Sequence, residues 1–491
     1  MVGQRFHRAL LALLTATSCA ISAIQAAEPA RLFRAGAAVA DITPQTWPVP
    51  LVGTFRPRSA SRAWDPLSAR AIVLDDGQTR LGIVLVDSCY CPRDVFDAAK
   101  QRASKLTNIP SSHILAAATH THTAPPARDR RELKRDPEYV EHLIRGIVSA
   151  LQQATGNLVS AEIAWGSVQV PEEVFNRRWF MNPGGIVANP FGEITDQVRM
   201  NPPRKRQLLS RPAGPTDPEV SFVYVRTKTG RPLALLANYA LHYVGGVPPG
   251  GVSSDYFGEF ARQIKHRLFP TGRQDDLPHF VGMLSNGTSG DINNINFTNP
   301  RPRRKPFERI REVAGLVTNR ICDALPDVTF HSWVPLAMTQ TELTLKVRRP
   351  TPQQIAQAQR FLAEPDDSKL PPRAKPYATW TLKLAEHPGT EDLILQAIRI
   401  GELGITAIPC EVFAEIGLSL KRKNPLKTSF TIELANGHHG YLPTPRQHDF
   451  GGYETWLGSN TLEIQASNLI EQRLLEMLAQ VAETKSDNTP R

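Results

Sequence analysis

The segment Ile114-Leu115-Ala116-Ala117-Ala118-Thr119-His120-Thr121-His122-Thr123-Ala124-Pro125-Pro126 decides how the chain is read. A short apolar run closed by a Pro-Pro break reads as a buried strand, and this one delivers two imidazoles at its end. Three other places have the same build. Asn238-Tyr239-Ala240-Leu241-His242 follows the apolar run 233–237, Pro409-Cys410-Glu411 follows 405–408, and Gly437-His438-His439-Gly440-Tyr441 follows 430–434. Strand ends on one edge of a sheet converge, which is where α/β proteins build sites. Two neutral imidazoles and a carboxylate are the usual set around a catalytic zinc, with positions left open for water. Taken singly, a histidine is more often a hydrogen-bonded structural residue than a ligand, and the spacing is not a compact motif such as His-Glu-x-x-His.

Around these segments strands alternate with helical patterns. Residues 71–74 and 81–86 read as strands about the turn Asp75-Asp76-Gly77, and 222–225 and 233–237 as a hairpin about Lys228-Thr229-Gly230. Strands are expected at 280–284, 343–347, 398–400, 405–408 and 430–434. Helices are expected at 139–154, 256–268, 307–325, 352–363 and 462–481, where apolar residues recur at helical spacing. Asp255 reads as the N-cap of the helix expected at 256–268, and Asp65 before Pro66 as a turn residue. The stretches 177–218 and 364–378, rich in Pro and polar residues, read as linkers. No repeat emerges from the sequence. The expectation is an α/β fold, one large mixed domain over residues 28–482.

The ends of the chain read differently. Arg5, His7 and Arg8 precede the apolar run 9–14, and small residues follow to Ala26-Ala27. This is the pattern of a signal peptide over residues 1–27, which places the mature protein outside the cytoplasm, secreted or periplasmic. Lipoprotein anchoring through Cys19 is disfavoured, because Ala16 stands where leucine is usual. Residues 483–491 read as a disordered tail. No later run approaches the roughly 18 apolar residues of a membrane span.

The 57 basic and 47 acidic residues give a net charge of +10. The basic clusters at 204–206 and 301–305 lack interleaved aromatics, which argues against nucleic acid and leaves room for peripheral contact with anionic membranes. The cysteines after residue 27 are Cys89, Cys91, Cys322 and Cys410, too few for a disulfide scaffold, though a single bridge stays open. Cys410 should point away from Glu411 by strand alternation. Asn286-Gly287-Thr288 matches a glycosylation sequon. His438 and His439 stand either beside the metal or in an idle turn.

Several of these segments together resemble the catalytic domain of the neutral/alkaline, non-lysosomal ceramidases. The resemblance is carried by Ala35-Gly36-Ala37-Ala38-Val39-Ala40-Asp41-Ile42-Thr43-Pro44, Thr119-His120-Thr121-His122, Asn176-Arg177, Ala240-Leu241-His242, Gly290-Asp291, Glu411 and the Tyr441…Tyr453 pair. It implies Zn2+ held by His120, His242, Glu411 and Tyr441. It implies that His122 serves the reacting carbonyl and leaving amine, and that Arg177 and Tyr453 position substrate and stabilise the developing oxyanion. A cation so held acidifies bound water toward a pKa of roughly 7. The implied activity is zinc-dependent hydrolysis of a linear N-acyl amide, small molecule or lipid. The same chemistry would serve an ester, a lactone or a sugar-linked amide, and a non-catalytic binding protein could keep the fold. Two departures stand out. Asn293 in Gly290-Asp291-Ile292-Asn293-Asn294 replaces the family's serine, which suggests a more polar substrate than ceramide. The family's C-terminal immunoglobulin-like domain has no counterpart here.

Overall fold

A computed structural model describes residues 31–129, 133–269, 280–299, 302 and 304–484. The expected signal peptide and most of the expected tail lie outside the described residues. From Leu32 onward the chain forms one unit built on twelve principal strands. They are β1 (Arg34–Asp41), β2 (Ser68–Asp75), β3 (Arg80–Val86), β4 (Ile114–Ala118), β5 (Val159–Gln169), β6 (Glu219–Thr227), β7 (Pro232–Tyr239), β8 (Val281–Asn286), β9 (Leu336–Lys346), β10 (Thr390–Ile400), β11 (Leu403–Ile408) and β12 (Thr428–Glu433). The helices used below are α1 (Arg93–Thr107), α2 (Pro137–Gly156), α3 (Asp255–Leu268), α4 (Glu308–Ala324), α5 (Pro352–Ala363), α6 (Ala374–Ala385), α7 (Ala414–Lys423), α8 (Pro445–Asp449) and α9 (Ala466–Glu483).

The first eight strands form one sheet in the order β8-β7-β6-β5-β1-β2-β3-β4, and the last four form a second in the order β9-β10-β11-β12. Strand alternation assigns each side chain to a layer. Ile72 and Leu74 face the second sheet, where Ile398, Ile400, Ile405 and Phe430 meet them. Ala71 and Val73 face the opposite way, onto α1 and α2. Helices α3 and α4 cover the other half of the large sheet, and α7 and α9 cover the small one. Helix, sheet, sheet and helix therefore stack as four layers, the fold class expected.

The sheets reveal a repeat that the sequence hides. β1-β2-β3-α1-β4-α2, β5-β6-β7-α3-β8-α4 and β9-β10-β11-α7-β12-α9 share one plan. In each, the second and third strands pair antiparallel, and a helix crosses over to a parallel fourth strand. The parallel pairs end in the same register: Val86↔Ala118, Tyr239↔Asn286 and Ile408↔Glu433. Parallel strands need such a crossover, so each unit ends its third strand at the same corner of the fold.

Several expectations need correction. Residues 177–218 are not a linker: Arg178–Met181 pairs with Val198–Met200 and Leu209–Pro212 in a small sheet. The last third of 364–378 belongs to α6, because Pro376 falls in a first helical turn, where no intrahelical N–H is needed. β9 is eleven residues long, twice the length expected, since its polar positions face solvent. The four cysteines are all unbridged thiols. Asn286 is fully buried, which removes it as a glycosylation site. Asp255 is not a side-chain cap: it has φ 55° and accepts the N–H groups of Val244 and Gly245, tying down the loop after His242. Asp65 is more than a turn residue, since it accepts hydrogen bonds from Ser253 and from the Ser254 backbone. Among the described residues no helix is long and apolar enough to cross a membrane.

Candidate metal centre

The three crossovers deliver the candidate ligands. His242 lies three residues past β7 and Glu411 three past β11, at equivalent places in their units. Cys89 holds that place in the first unit, where His120, two residues past β4, supplies the imidazole instead. His120 has φ 77°, a left-handed conformation that costs a non-glycine residue of order 1 kcal/mol or more. Its N–H donates to the Ser88 carbonyl, which holds the residue there.

His120 Nε2 lies 2.9 Å from His242 Nε2, 3.2 Å from His122 Nε2 and 3.5 Å from Glu411 Oε2, while His242 Nε2 lies 3.9 Å from the same oxygen. His120, His242 and Glu411 thus form a group able to hold a metal ion. The outer ring nitrogens decide the tautomers. His120 Nδ1 sits 2.6 Å from the Cys89 carbonyl and His242 Nδ1 3.2 Å from the Ser289 carbonyl, so each Nδ1–H donates to backbone. Both Nε2 lone pairs then face one another. That contact needs a proton or a cation between them, and an outer-nitrogen tether of this kind is how metal-bound histidines are oriented. Glu411 Oε2 is buried and has no hydrogen-bond partner, another atom left for a cation. Ligands about 2.1 Å from a tetrahedral ion lie about 3.4 Å apart, and the observed separations straddle that value.

Without a cation, one proton does its work. Burial opposes charge on His120, but Cys89 and Glu411 hold its pKa well above the usual value. Burial and the charge on His120 push His122 and His242 well below theirs. Glu411 is held well below the carboxylate range, because His120 and the hydrogen bond from His438 outweigh its burial. A divalent ion would displace the shared proton.

The remaining expected residues meet at the same place. Together with the four groups above, Arg177, Asn293, Tyr441 and Tyr453 line one cavity of about 520 Å³. Tyr441 pairs alongside Glu411 in a short parallel ladder. The buried Arg177 donates to Glu454 at 2.9 Å and to the Gly290 carbonyl at 2.7 Å, lies 3.3 Å from His242 Nε2, and stands over the Tyr441 ring. Tyr453 meets Tyr441 edge-on at 5.5 Å. His122 stacks on Tyr243 at 3.7 Å. A Cβ on Gly53 would fall 2.5 Å from His122 Cγ, so only glycine fits beside that ring. Asn293 is largely committed to the protein, donating to Asn201 and accepting from the Ile295 N–H, with one amide N–H left over. Cys410 is buried away from the cavity among core residues, as alternation required.

The structure decides between the two readings of His438, and two buried glutamates escaped the sequence reading. His438 is no idle turn residue: its Nε2 lies 3.3 Å from Glu411 Oε1. Burial, then Arg128, push its pKa down to about 3, so it donates as a neutral ring. The buried Glu433 accepts Ser289 Oγ at 2.7 Å and the Val412 N–H at 2.6 Å, pinning the loops behind His242 and Glu411 together. Glu454 sits fully buried between Arg177 and Arg178. No sequence signal marks either glutamate, because Ser289, Arg177 and Arg178, the side chains they bind, lie more than 100 residues away.

The approach of the two loops is tight. A Cβ on Gly290 would lie 2.5 Å from the Glu411 carbonyl oxygen, an atom of fixed backbone. We expect Gly290→Ala to cost about 2–3 kcal/mol of stability, the usual penalty of overpacking, and to weaken metal binding. Urea denaturation with metal analysis of the variant checks this, and wild-type values for both would refute it.

No family model matches the chain, and no curated protein matches it in sequence. In structure it is similar to neutral ceramidase from Pseudomonas aeruginosa, with a TM-score of 0.69 and 16% identity over 94% of this chain and 76% of that one. It is equally similar to a structure described as ceramidase complexed with C2, with a TM-score of 0.69 and 15% identity over 94% and 77% of the two chains.

Proposed function

We propose that this chain, which carries the neutral ceramidase fold, is an exported zinc-dependent amidase that hydrolyses an N-acyl amide. One observation carries the reading: two backbone-tethered imidazoles aim their lone pairs at one another beside an unpartnered carboxylate oxygen, inside a cavity. His120, His242 and Glu411 would hold the ion, with Tyr441 beside them as a fourth donor. An imidazole–carboxylate set favours zinc over the harder cations. Zinc so held supplies a Lewis acid for the carbonyl and an acidified water.

The chain's own residues do the rest. Arg177, fixed by Glu454 and Gly290, and the Tyr453 hydroxyl hold the oxygen that gains charge as the carbonyl becomes tetrahedral. Each such donor is worth roughly 3 kcal/mol. His122 is neutral at rest and faces the same space, so it can take a proton from the attacking water and return it to the leaving nitrogen. Asn293 cannot act as a hydroxyl would. Its free N–H is left to orient a polar group of the substrate. Export rests on the pattern of residues 1–27.

The test is a screen of purified protein, zinc-loaded and chelator-treated, against N-acyl sphingosine, N-acyl amino sugars, N-acyl amino acids and matched esters. Metal-dependent release of amine is expected. Turnover of esters alone, or the same rate after zinc removal, would overturn the proposal.

A further inference from the structure

The cavity wall beyond the metal ligands carries charge that a ceramide-like diol would leave unused. His438, bonded to Glu411, stacks on Tyr90 at 4.5 Å and 24°. The Arg128 guanidinium lies over that same Tyr90 ring at 4.7 Å and donates to the His438 carbonyl at 3.2 Å. Arg128 is thus linked to the candidate metal ligand Glu411 through a single residue, His438. It follows Pro125-Pro126 on the loop that carries His120 and His122, and the Val52 N–H to Ala124 carbonyl bond holds that loop.

The carboxylates near it are occupied. Asp129 accepts Lys134 at 3.0 Å and the Arg135 N–H at 2.9 Å. Glu391 is bound by His387 at 3.2 Å and by His439. Arg128 has no carboxylate partner among the described residues. The same holds for two other cations on the cavity lining: Arg373, which lies over the Phe55 ring, and Lys383. Three cations thus surround a cavity whose acidic groups outside the candidate metal site are already paired. A half-buried guanidinium with only a carbonyl and a ring for company is poorly compensated, and its planar fork matches a carboxylate.

We infer that the substrate carries an anionic group on the amine side of the scissile bond, an N-acyl amino acid whose carboxylate pairs with Arg128. This rests on the amidase reading above. In an N-acyl α-amino acid the carboxylate lies two bonds from the amide nitrogen, so a substrate with its carbonyl at His120 and His242 presents its carboxylate to the wall of the same cavity, which Arg128 lines. Hydrolysis adds water across the C–N bond, giving a fatty acid and a free amino acid.

The experiment compares a fluorescent N-acylglycine with its neutral carboxamide, N-acylglycinamide, and with N-acyl sphingosine. Equilibrium binding and turnover are both measured, on the wild type and on Arg128→Gln and Arg128→Lys. The wild type should favour the acid over the carboxamide by roughly 10- to 100-fold, the range of a charge-assisted hydrogen bond. Arg128→Gln should bring that ratio toward one, and Arg128→Lys should keep part of it. A purely structural defect would lower both ligands alike and leave the ratio intact, which would overturn the assignment. So would a wild type that binds acid and carboxamide equally. Preferential binding of the acid without hydrolysis would sustain the anionic ligand class and remove the amidase reading instead.

Discussion

Glu411→Gln is expected to abolish zinc retention and turnover while leaving the chain folded. The carboxylate supplies the only formal negative charge in the ligand group His120, His242 and Glu411, and its Oε2 has no other partner to lose. A four-ligand zinc site is worth about 10–16 kcal/mol, so one ligand carries about 3 kcal/mol, a factor of 10² to 10³ in affinity. The amide that replaces it can donate to the imidazole lone pairs left facing one another, which spares the fold an unpaired charge. Elemental analysis after dialysis, followed by competition with a chromogenic chelator, reads the affinity. Far-UV circular dichroism and urea denaturation of the metal-free proteins read the fold. A variant that keeps one zinc per chain at wild-type affinity would remove Glu411 from the centre.

Arg177→Met is expected to lower kcat by about 10²–10³ and also to destabilise the protein, and the two losses should be separable. The catalytic loss is that of one oxyanion donor. The loss of stability comes from Glu454, which is fully buried and accepts from Arg177 on one oxygen and Arg178 on the other. Removing one partner from a buried charge network costs about 3–5 kcal/mol at most, less here because Arg178 remains. The variant Glu454→Gln, which strips the counter-charge from two buried guanidinium groups, should lose more stability and less kcat, and the double variant Arg177→Met/Glu454→Gln should recover neither, since Arg178 is then left without a carboxylate. Urea denaturation and steady-state kinetics on the three variants decide it. A kcat that simply follows stability across the three would show that Arg177 acts only by holding Tyr441 and the Gly290 loop in place.

The elements legible in the sequence were those with unbroken apolar periodicity. β2, β3, β6, β7, β11, α2, α4 and α5 fall close to where the pattern put them. So did the strand ends, and with them the residues that converge on the cavity. What stayed hidden has physical reasons. α1 buries Lys100, whose amine donates to Asn436, so its inner face does not read as apolar. α7 is short and ends in Lys421-Arg422-Lys423. The segment 177–218 looks like a loop because its order comes from Arg178, which is held by Gln447 and Glu454 far along the chain. The three-unit plan is invisible because the connections between first and second strands, 42–67, 170–218 and 347–389, differ in length and content. The equivalent corner positions have also diverged to Cys89, His242 and Glu411, a thiol, an imidazole and a carboxylate, so nothing in their identity betrays a common place.

That plan bears on how the molecule comes apart. The candidate donors His120, His242 and Glu411 come one from each of the three units. A bound cation would act as a keystone at the corner where the units touch, and its binding energy would count as cohesion between them rather than within any one. Withdrawing it should open that corner first and leave the paired sheets standing, so the pocket would be lost well before the layered core gives way to denaturant.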